Sequence, residues 1–455
     1  MNDGPTRVLA ATAILGYGYP LASFAKGLEH DPHVIGVDAG STDPGAYYLG
    51  AGEPLSGAAT VKRDLRPMVV AGMERGVPVI VGTSGGAGGD PHLEWCYEIL
   101  AEICHEEGLH PRVAVIRAEQ DRELLRAELK AGRIDALAAV PALTEADLDR
   151  STRIVGQMGV EPIQAALDAG AQVVLAGRSC DVSVFAAVPL RRGNDPALAM
   201  HAAKIVECGA YCAEPAAGLD SILATINTDD FVLTPLSPGQ RITRASAAAH
   251  SLYEQDDPAW IIEPLGVVDV ATANFEELAD GAVRVSGSRF EPAAQYTIKL
   301  EGAALAGYRA VSICGVRDPT AIARIDDLLN GVREHVMDVW GATTEQNPYE
   351  ITFRRYGRDG VMGAGEPLRD RLSHELGLVL EVVAATQAEA GEICSLARST
   401  LLHFDYPGRL NVGGNVAFPF SPHDANWGPV YEFSVYHRWA VDDPLLPFPI
   451  EMRTP

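Results

Sequence analysis

Asp38, Ser41, Thr42 and Asp43 fall within six positions, directly after the apolar run Val34–Val37, in the segment VIGVDAGSTDPGAYYLGAG. Two carboxylates and two hydroxyls this close together suit proton transfer, orientation of a water, or support of an oxyanion. Asp38 and Asp43 are the candidate acid/base groups. Ser41 and Thr42 are candidate substrate hydrogen-bonders, and Tyr47 or its neighbour Tyr48 offers a phenol a few residues on. The plainer alternative is that Asp38 closes a strand and Asp43-Pro44-Gly45 makes an ordinary turn.

Two further loops carry similar chemistry. GTSGGAGGD, Gly82 to Asp90, has five glycines in eight positions with Thr83 and Ser84 among them. Glycines let successive backbone N–H groups turn toward an anion, and a following helix adds its positive end. Thr83, Ser84, Gly85 and Gly86 are therefore expected to bind a phosphate or carboxylate, against the alternative of a tight strand-to-helix turn. No Gly-Lys-Ser/Thr follows, so this is not a nucleotide P-loop. GRSCD, Gly177 to Asp181, offers Arg178 for bidentate pairing with a substrate carboxylate. Ser179 or Asp181 suits a helix cap. Cys180, near a helix start, is a candidate for a lowered pKa and a catalytic role, set against inert packing. Asp181 joins the catalytic candidates.

Weaker signals are discounted. Gly16-Tyr17-Gly18 with Asp38 downstream imitates a dinucleotide fingerprint, but Leu21 holds the third glycine position. Cys208 and Cys212 lie one helical turn apart without a second ligand pair, and the histidines form no HxH or HExxH pattern. No cofactor is expected and no metal ligands are assigned. A divalent metal on Asp38, Asp43 and Asp181 remains an alternative. Asn227, Asp229 and Asp230 either join a pocket or begin a turn. Asn411, Gly413, Gly414 and Asn415 form a late glycine-rich loop.

The elements that must position these groups follow from periodicity. Up to about residue 230, short β-branched runs alternate with helical stretches. The expected strands are 7–12, 34–37, 77–81, 112–117, 136–140 and 171–176. The expected helices are 20–28, 61–75, 91–107, 120–131, 162–169, 182–188 and 196–212. This alternation predicts βαβ units: an α/β fold with a mostly parallel, doubly wound sheet. In such a sheet ligands bind beyond the carboxyl ends of the strands, so the three loops should share one edge. The stretch 226–289 is mixed and broken by prolines. From 289 the order is strands 296–301 and 308–316, helix 319–339, strands 349–356 and 376–384, then helix 387–402. That order predicts a C-terminal α+β domain of ferredoxin-like kind. The expected division is 1–288 and 289–455, with an irregular tail that has strand signals at 430–437.

Composition narrows the function classes. With 36 basic and 61 acidic residues, the net charge of −25 disfavours nucleic acid and anionic membranes as partners. Seven cysteines, no basic n-region before the first apolar run, and no apolar run of about 18 residues predict a reduced, cytoplasmic protein with free thiols. A homo-oligomer is expected on general grounds.

VDAGSTDPGAYYLGAG, GTSGGAGGD, AGRSCD and the later KLEGAALAGYR (Lys299 to Arg309) resemble the acyclic terpene utilisation (AtuA) family over essentially the whole chain. Its members occur beside enzymes of acyl-CoA and carboxylic-acid catabolism. The resemblance implies that setting, and a small ferredoxin-like or companion module at the C-terminus. It carries over no catalytic residues. The expectation is an enzyme acting on a small-molecule carboxylate or acyl-CoA by non-redox acid/base chemistry, as a hydratase/dehydratase, isomerase or hydrolase. A noncatalytic acyl-binding subunit and a metal-assisted hydrolase are the alternatives.

Overall fold

The computed structural model describes residues 4–215, 219–254, 257–410 and 412–455. The first half runs β1 (Thr6–Ala10), α1 (Leu21–Leu28), β2 (Val34–Asp38), α2 (Ala46–Ala51), α3 (Ala58–Arg75), β3 (Val79–Gly82), α4 (Asp90–Glu107), β4 (Val113–Ile116), α5 (Arg122–Lys130), β5 (Ile134–Ala136), α6 (Glu145–Arg150), β6 (Ser151–Gly156), α7 (Glu161–Asp168), β7 (Val173–Ala176), α8 (Asp181–Arg191) and α9 (Pro196–Val206). The chain divides into two compact units. The larger comprises residues up to 304 together with 433–455, and the smaller is 305–432.

The larger unit is α/β. Its main sheet has a parallel centre in the order β1-β2-β3-β7-β4. Antiparallel strands extend both edges: Ile222–Ile226 pairs with β1, and Ile450–Arg453 pairs with β4. Alternate residues of each central strand serve opposite faces. Ile35, Val37, Val79, Val81, Val113 and Leu175 pack with α1, α3 and α4 in one apolar cluster. The other face receives α7 and α8. There Gly36 makes room for Phe185, since a Cβ on Gly36 would sit 2.7 Å from its ring. Burial on both faces explains why these strands are apolar without alternation.

Several expected boundaries shift. The strand expected at 136–140 is Ile134–Ala136, antiparallel to 437–439. The helix expected at 196–212 ends at Val206, and a 3-10 turn covers Gly209–Cys212. The two strands expected at 296–301 and 308–316 are one, Thr297–Val316, with a register shift at Ala303/Ala304. The two compact units meet at 304/305, inside that strand. The expected irregular tail holds the strands Asp424–Ala440 and Ile450–Arg453.

The smaller unit is an antiparallel layer. Leu376–Ala384 pairs on one side with Tyr349–Tyr356 and on the other with residues 308–316. Leu376, Leu378, Leu380 and Val382 point to one face, where Ile325–Trp340 and Gln387–His403 cover them. Asn415 of the late glycine-rich loop donates to Leu401 O (3.1 Å) and Phe404 O (2.7 Å) at a helix end, while Asn411 lies outside the described residues.

Gly36→Val should lower unfolding free energy by about 2–3 kcal/mol, because the new methyls enter the Phe185 ring. Urea denaturation checks this. The double variant Gly36→Val/Phe185→Leu should recover part of the loss, and strict additivity would refute the packing account.

Candidate active site

The three loops meet at the carboxyl edge of the parallel strands, within the larger unit. Thr83 N donates to Gly177 O (3.1 Å) and Ser84 N to Ala176 O (2.9 Å), joining the loops after β3 and β7. Arg178 N donates to Gly88 O (3.1 Å). Gly88 has φ +69°, and a Cβ there would fall 2.2 Å from Arg178 N. A Cβ on Gly40 would lie 2.7 Å from Gly86 O. The loops approach backbone to backbone, and only glycine permits it.

That packing gives the glycine-rich loop a use other than the expected anion cradle. Thr83 and Ser84 are fully buried, and Thr83 N donates to Ser179 Oγ (3.2 Å). Gly85 lies against His92 and Gly86 against Leu55. The first turn of α4 already has a carboxylate, since Asp90 N donates to Glu119 Oε1 (2.8 Å). The Gly16-Tyr17-Gly18 loop is similar: Gly16 N and Gly18 N both donate to Asp64 Oδ2, at 3.0 and 2.8 Å. In each loop an internal acid stands where an external anion would sit.

Beside the loops lies a cavity of about 730 Å³. Ser41, Asp43, Arg178, Cys180 and Asp181 line it. Lys204, Glu207, Glu254, Asp257, Glu263 and Lys299 complete its charged wall. Asp38, Thr42, Tyr47 and Ser179 are not in the wall. Asp38 is buried, with Gly40 N donating to its Oδ2 (3.0 Å). Tyr47 is exposed, edge-on to Tyr48. Asn227 Nδ2 donates to Asp230 in a strand-to-strand turn, the plainer of its two readings. A second cleft, lined by Pro32, His33, Pro78 and Gln172, lies at the amino ends of the strands and has no carboxylate in its wall.

The cavity has two electrostatic halves. In one, Arg178 Nε pairs with Glu301 Oε2 at 2.7 Å, both side chains almost wholly buried. Glu301 Oε1 accepts from Thr42 Oγ1 (2.8 Å) and from Lys299 Nζ (2.8 Å). Burial alone would raise the Glu301 pKa, but Arg178 and Lys299 override it and hold the carboxyl at about 2. Arg178, expected to grip a substrate carboxylate, thus directs its Nε to a carboxylate of its own chain.

The other half is rich in acids. Lys204 pairs with Glu207 Oε1 and stands 3.8 Å from Glu254. Burial pushes Glu207 well up, with Asp181 adding to it and Lys204 opposing it. Burial likewise raises Asp181, against Arg178 and Lys204. Asp38 is raised by burial and by the charge of Asp181. Glu263 is pushed up to about 8, chiefly by burial, with the Cys180 thiol hydrogen-bonded to it. Cys180 itself is raised by burial and then by Glu263, opposite to the lowering expected at a helix start, so its thiolate is disfavoured. Oδ1 of Asp38 and Asp181, Oε2 of Glu207 and Oε2 of Glu263 are buried without a hydrogen-bond partner among the described residues.

Sequence reasoning passed over Lys204, Glu207, Glu263 and Glu301. A signal was present in two of the segments. Lys204 interrupts the apolar helix PALAMHAAKIV, with Glu207 three positions on, and Glu301 interrupts an apolar strand. Charges in such settings are buried and paired, or functional.

Glu301→Leu should destabilise the fold by about 3–5 kcal/mol, because it strands Arg178 as an unpaired buried charge. Arg178→Met/Glu301→Leu should recover part of that. A carboxyl held low in the folded state contributes stability above its unfolded pKa and loses it as pH falls. The wild type should therefore lose stability between about pH 5 and 2 more steeply than the double variant, as thermal melts across pH would record. Parallel curves would show that the pair does not govern acid sensitivity.

The family model described as acyclic terpene utilisation family protein AtuA matches residues 56–411. The match begins after the Asp38 loop and takes in the glycine-rich loop, Arg178 to Asp181, Lys204, Glu263 and Glu301. No curated protein and no solved structure matches the chain. The match covers most of the sequence, and the chain belongs to the acyclic terpene utilisation (AtuA) family.

Proposed function

We propose that the cavity beyond β2 and β7 is the active site of a non-redox enzyme that moves a proton on a small carboxylic acid or its acyl thioester. The observation that carries this reading is the divergence of two carboxyls at this cavity: Glu301, bound behind the wall residues Arg178 and Lys299, held at about 2, and Glu263, in the wall, raised to about 8. Environments that drive the proton affinities of two acids apart assign one a permanent charge and the other a transferable proton. Glu263 is then the proton-transfer group. Its affinity lies close to neutrality, where a general acid or base is most effective.

The other groups take roles that suit this. The Arg178–Lys299 side, two cations against the single charge of Glu301, supplies positive potential for a substrate carboxylate or a developing enolate. Ser41 and Asp43 line the cavity from the first loop. Asp38, behind the wall, acts through its charge coupling to Asp181. The cavity volume lies within the range of small-molecule sites. Membership of a terpene-utilisation family supports an acidic or acyl substrate from catabolism. For the smaller unit, the order strand, helix, two strands, helix, strand supports a ferredoxin-like reading.

A panel of branched and hydroxylated short-chain acids and their CoA thioesters, incubated in D2O, provides the test. Mass spectrometry should find enzyme-dependent deuterium uptake next to the carbonyl, or water addition, for some member. Glu263→Gln should lower kcat about 10²–10⁴-fold with a small change in KM. The pH–rate profile should show an ionisation near 8 that the variant loses. Retained turnover and an unchanged profile in Glu263→Gln would sink the assignment. Stability offers a second readout with a defined sign. An acid raised in the folded state stabilises it while protonated, and that contribution falls away as pH rises from the unfolded value toward 8. Each tenfold change in proton affinity is worth about 1.4 kcal/mol. Glu263→Gln should flatten the decline in wild-type Tm between about pH 5 and 9.

A further inference from the structure

The acid half of the cavity holds more carboxyls than its cations can pair. Arg178 and Lys299 both pair with Glu301. Lys204 is then left among Asp43, Asp181, Glu207, Glu254, Asp257 and Glu263 of the wall, and it pairs with one oxygen of Glu207. One ammonium against six carboxyls is an unfavourable balance, most of all at the buried oxygens.

The geometry of the surplus is specific. One oxygen from each of Asp181, Glu207 and Glu254 lies within 4.8 Å of the other two. These acids come from the first turn of α8, the residue after α9, and the segment beyond residue 251. Three separate elements therefore converge on one point. Glu207 supplies the independent observation. Its side chain is 3% exposed; Oε1 accepts from Lys204, yet Oε2 is buried and has no hydrogen-bond partner among the described residues. Asp181 Oδ1 is in the same condition. Leaving a buried carboxylate oxygen unpaired costs about 1–3 kcal/mol or more.

We infer that Asp181, Glu207 and Glu254 form a binding site for one divalent cation of the Mg²⁺ or Mn²⁺ class. The ligands are all carboxylate oxygens, which suits hard cations over zinc or copper. Oxygens up to 4.8 Å apart can surround an ion at about 2.1 Å with small rotamer changes. Glu254 is half exposed and leaves an open side toward the cavity, where water or a substrate carboxylate would complete the coordination. Lys204 keeps Glu207 Oε1, so ammonium and ion use different oxygens of the same acid. This ligand set differs from the trio Asp38, Asp43 and Asp181 suggested by sequence. Asp38 is buried behind the wall. The inference needs no assumption about the reaction, and its test needs no turnover.

Titration of the full-length, metal-stripped protein with Mn²⁺, followed by electron paramagnetic resonance of free Mn²⁺, should show one saturable site per chain. Mg²⁺ should compete for it. Glu254→Gln, at an exposed side chain that does not endanger folding, should weaken binding roughly tenfold or more. Glu207→Gln should weaken it at least as much, with circular dichroism to verify the fold. Mn²⁺ should also raise the wild-type Tm and leave that of Glu254→Gln nearly unchanged. Absence of saturable binding, or equal affinity in wild type and both variants, would overturn the site. Either result would leave the proton-transfer role of Glu263 standing. Conversely, intact Mn²⁺ binding with no effect of Glu263→Gln on turnover would overturn the proposed reaction and keep the cation site.

Discussion

The buried pair of Arg178 and Glu301 is the interaction on which the rest of the cavity depends. Arg178 follows β7, Thr42 follows β2, and Glu301 and Lys299 lie on the strand Thr297–Val316. Their bonds to one carboxylate lock three elements distant in sequence. Such a charge is tolerable in the interior only because both its oxygens are occupied. Two of the three cations at the cavity are thereby committed, and the remaining carboxyls must share Lys204. The high proton affinity of Glu263 and the unpaired oxygens of Asp181 and Glu207 follow from that shortage together with burial.

The glycine-rich loop supports this arrangement from behind. Its residues let Gly88 approach the backbone of Arg178, and Gly86 approach Gly40. The loop thereby sets where the guanidinium emerges. Glycine density signals close backbone approach, and the approaching body can be another loop of the same chain as readily as a ligand. Glu119 at the start of α4 and Asp64 beneath Gly16 and Gly18 illustrate the same economy of anions. An acidic chain with a net charge of −25 has many carboxylates available to fill its own N–H nests.

The central sheet was legible because its strands are short, β-branched and spaced by helices of regular period. The strands Val34–Asp38, Val79–Gly82 and Val173–Ala176 lie within a residue or two of their expected places. From that pattern alone, the loops carrying Asp38, Thr83 and Arg178 had to share an edge. The antiparallel additions were less legible. Ile450–Arg453 is short and follows a proline-rich tail, and only its pairing with β4 makes it a strand. The unit boundary was hidden because it falls within one continuous strand, where no break in the β pattern marks it.

By itself the sequence determined the α/β class, the convergence of three loops, and the presence of Ser41, Asp43, Arg178, Cys180 and Asp181 at the resulting cavity. Those features follow from local periodicity and from the rule that parallel strands end on one edge. Tertiary structure alone decided what each group faces. It placed Glu301 on Arg178, Glu263 against Cys180, and Glu207 beside Asp181 from segments up to about 120 residues apart. Proton affinity and charge balance depend on distance and burial, and neither is written in the spacing of residues along the chain.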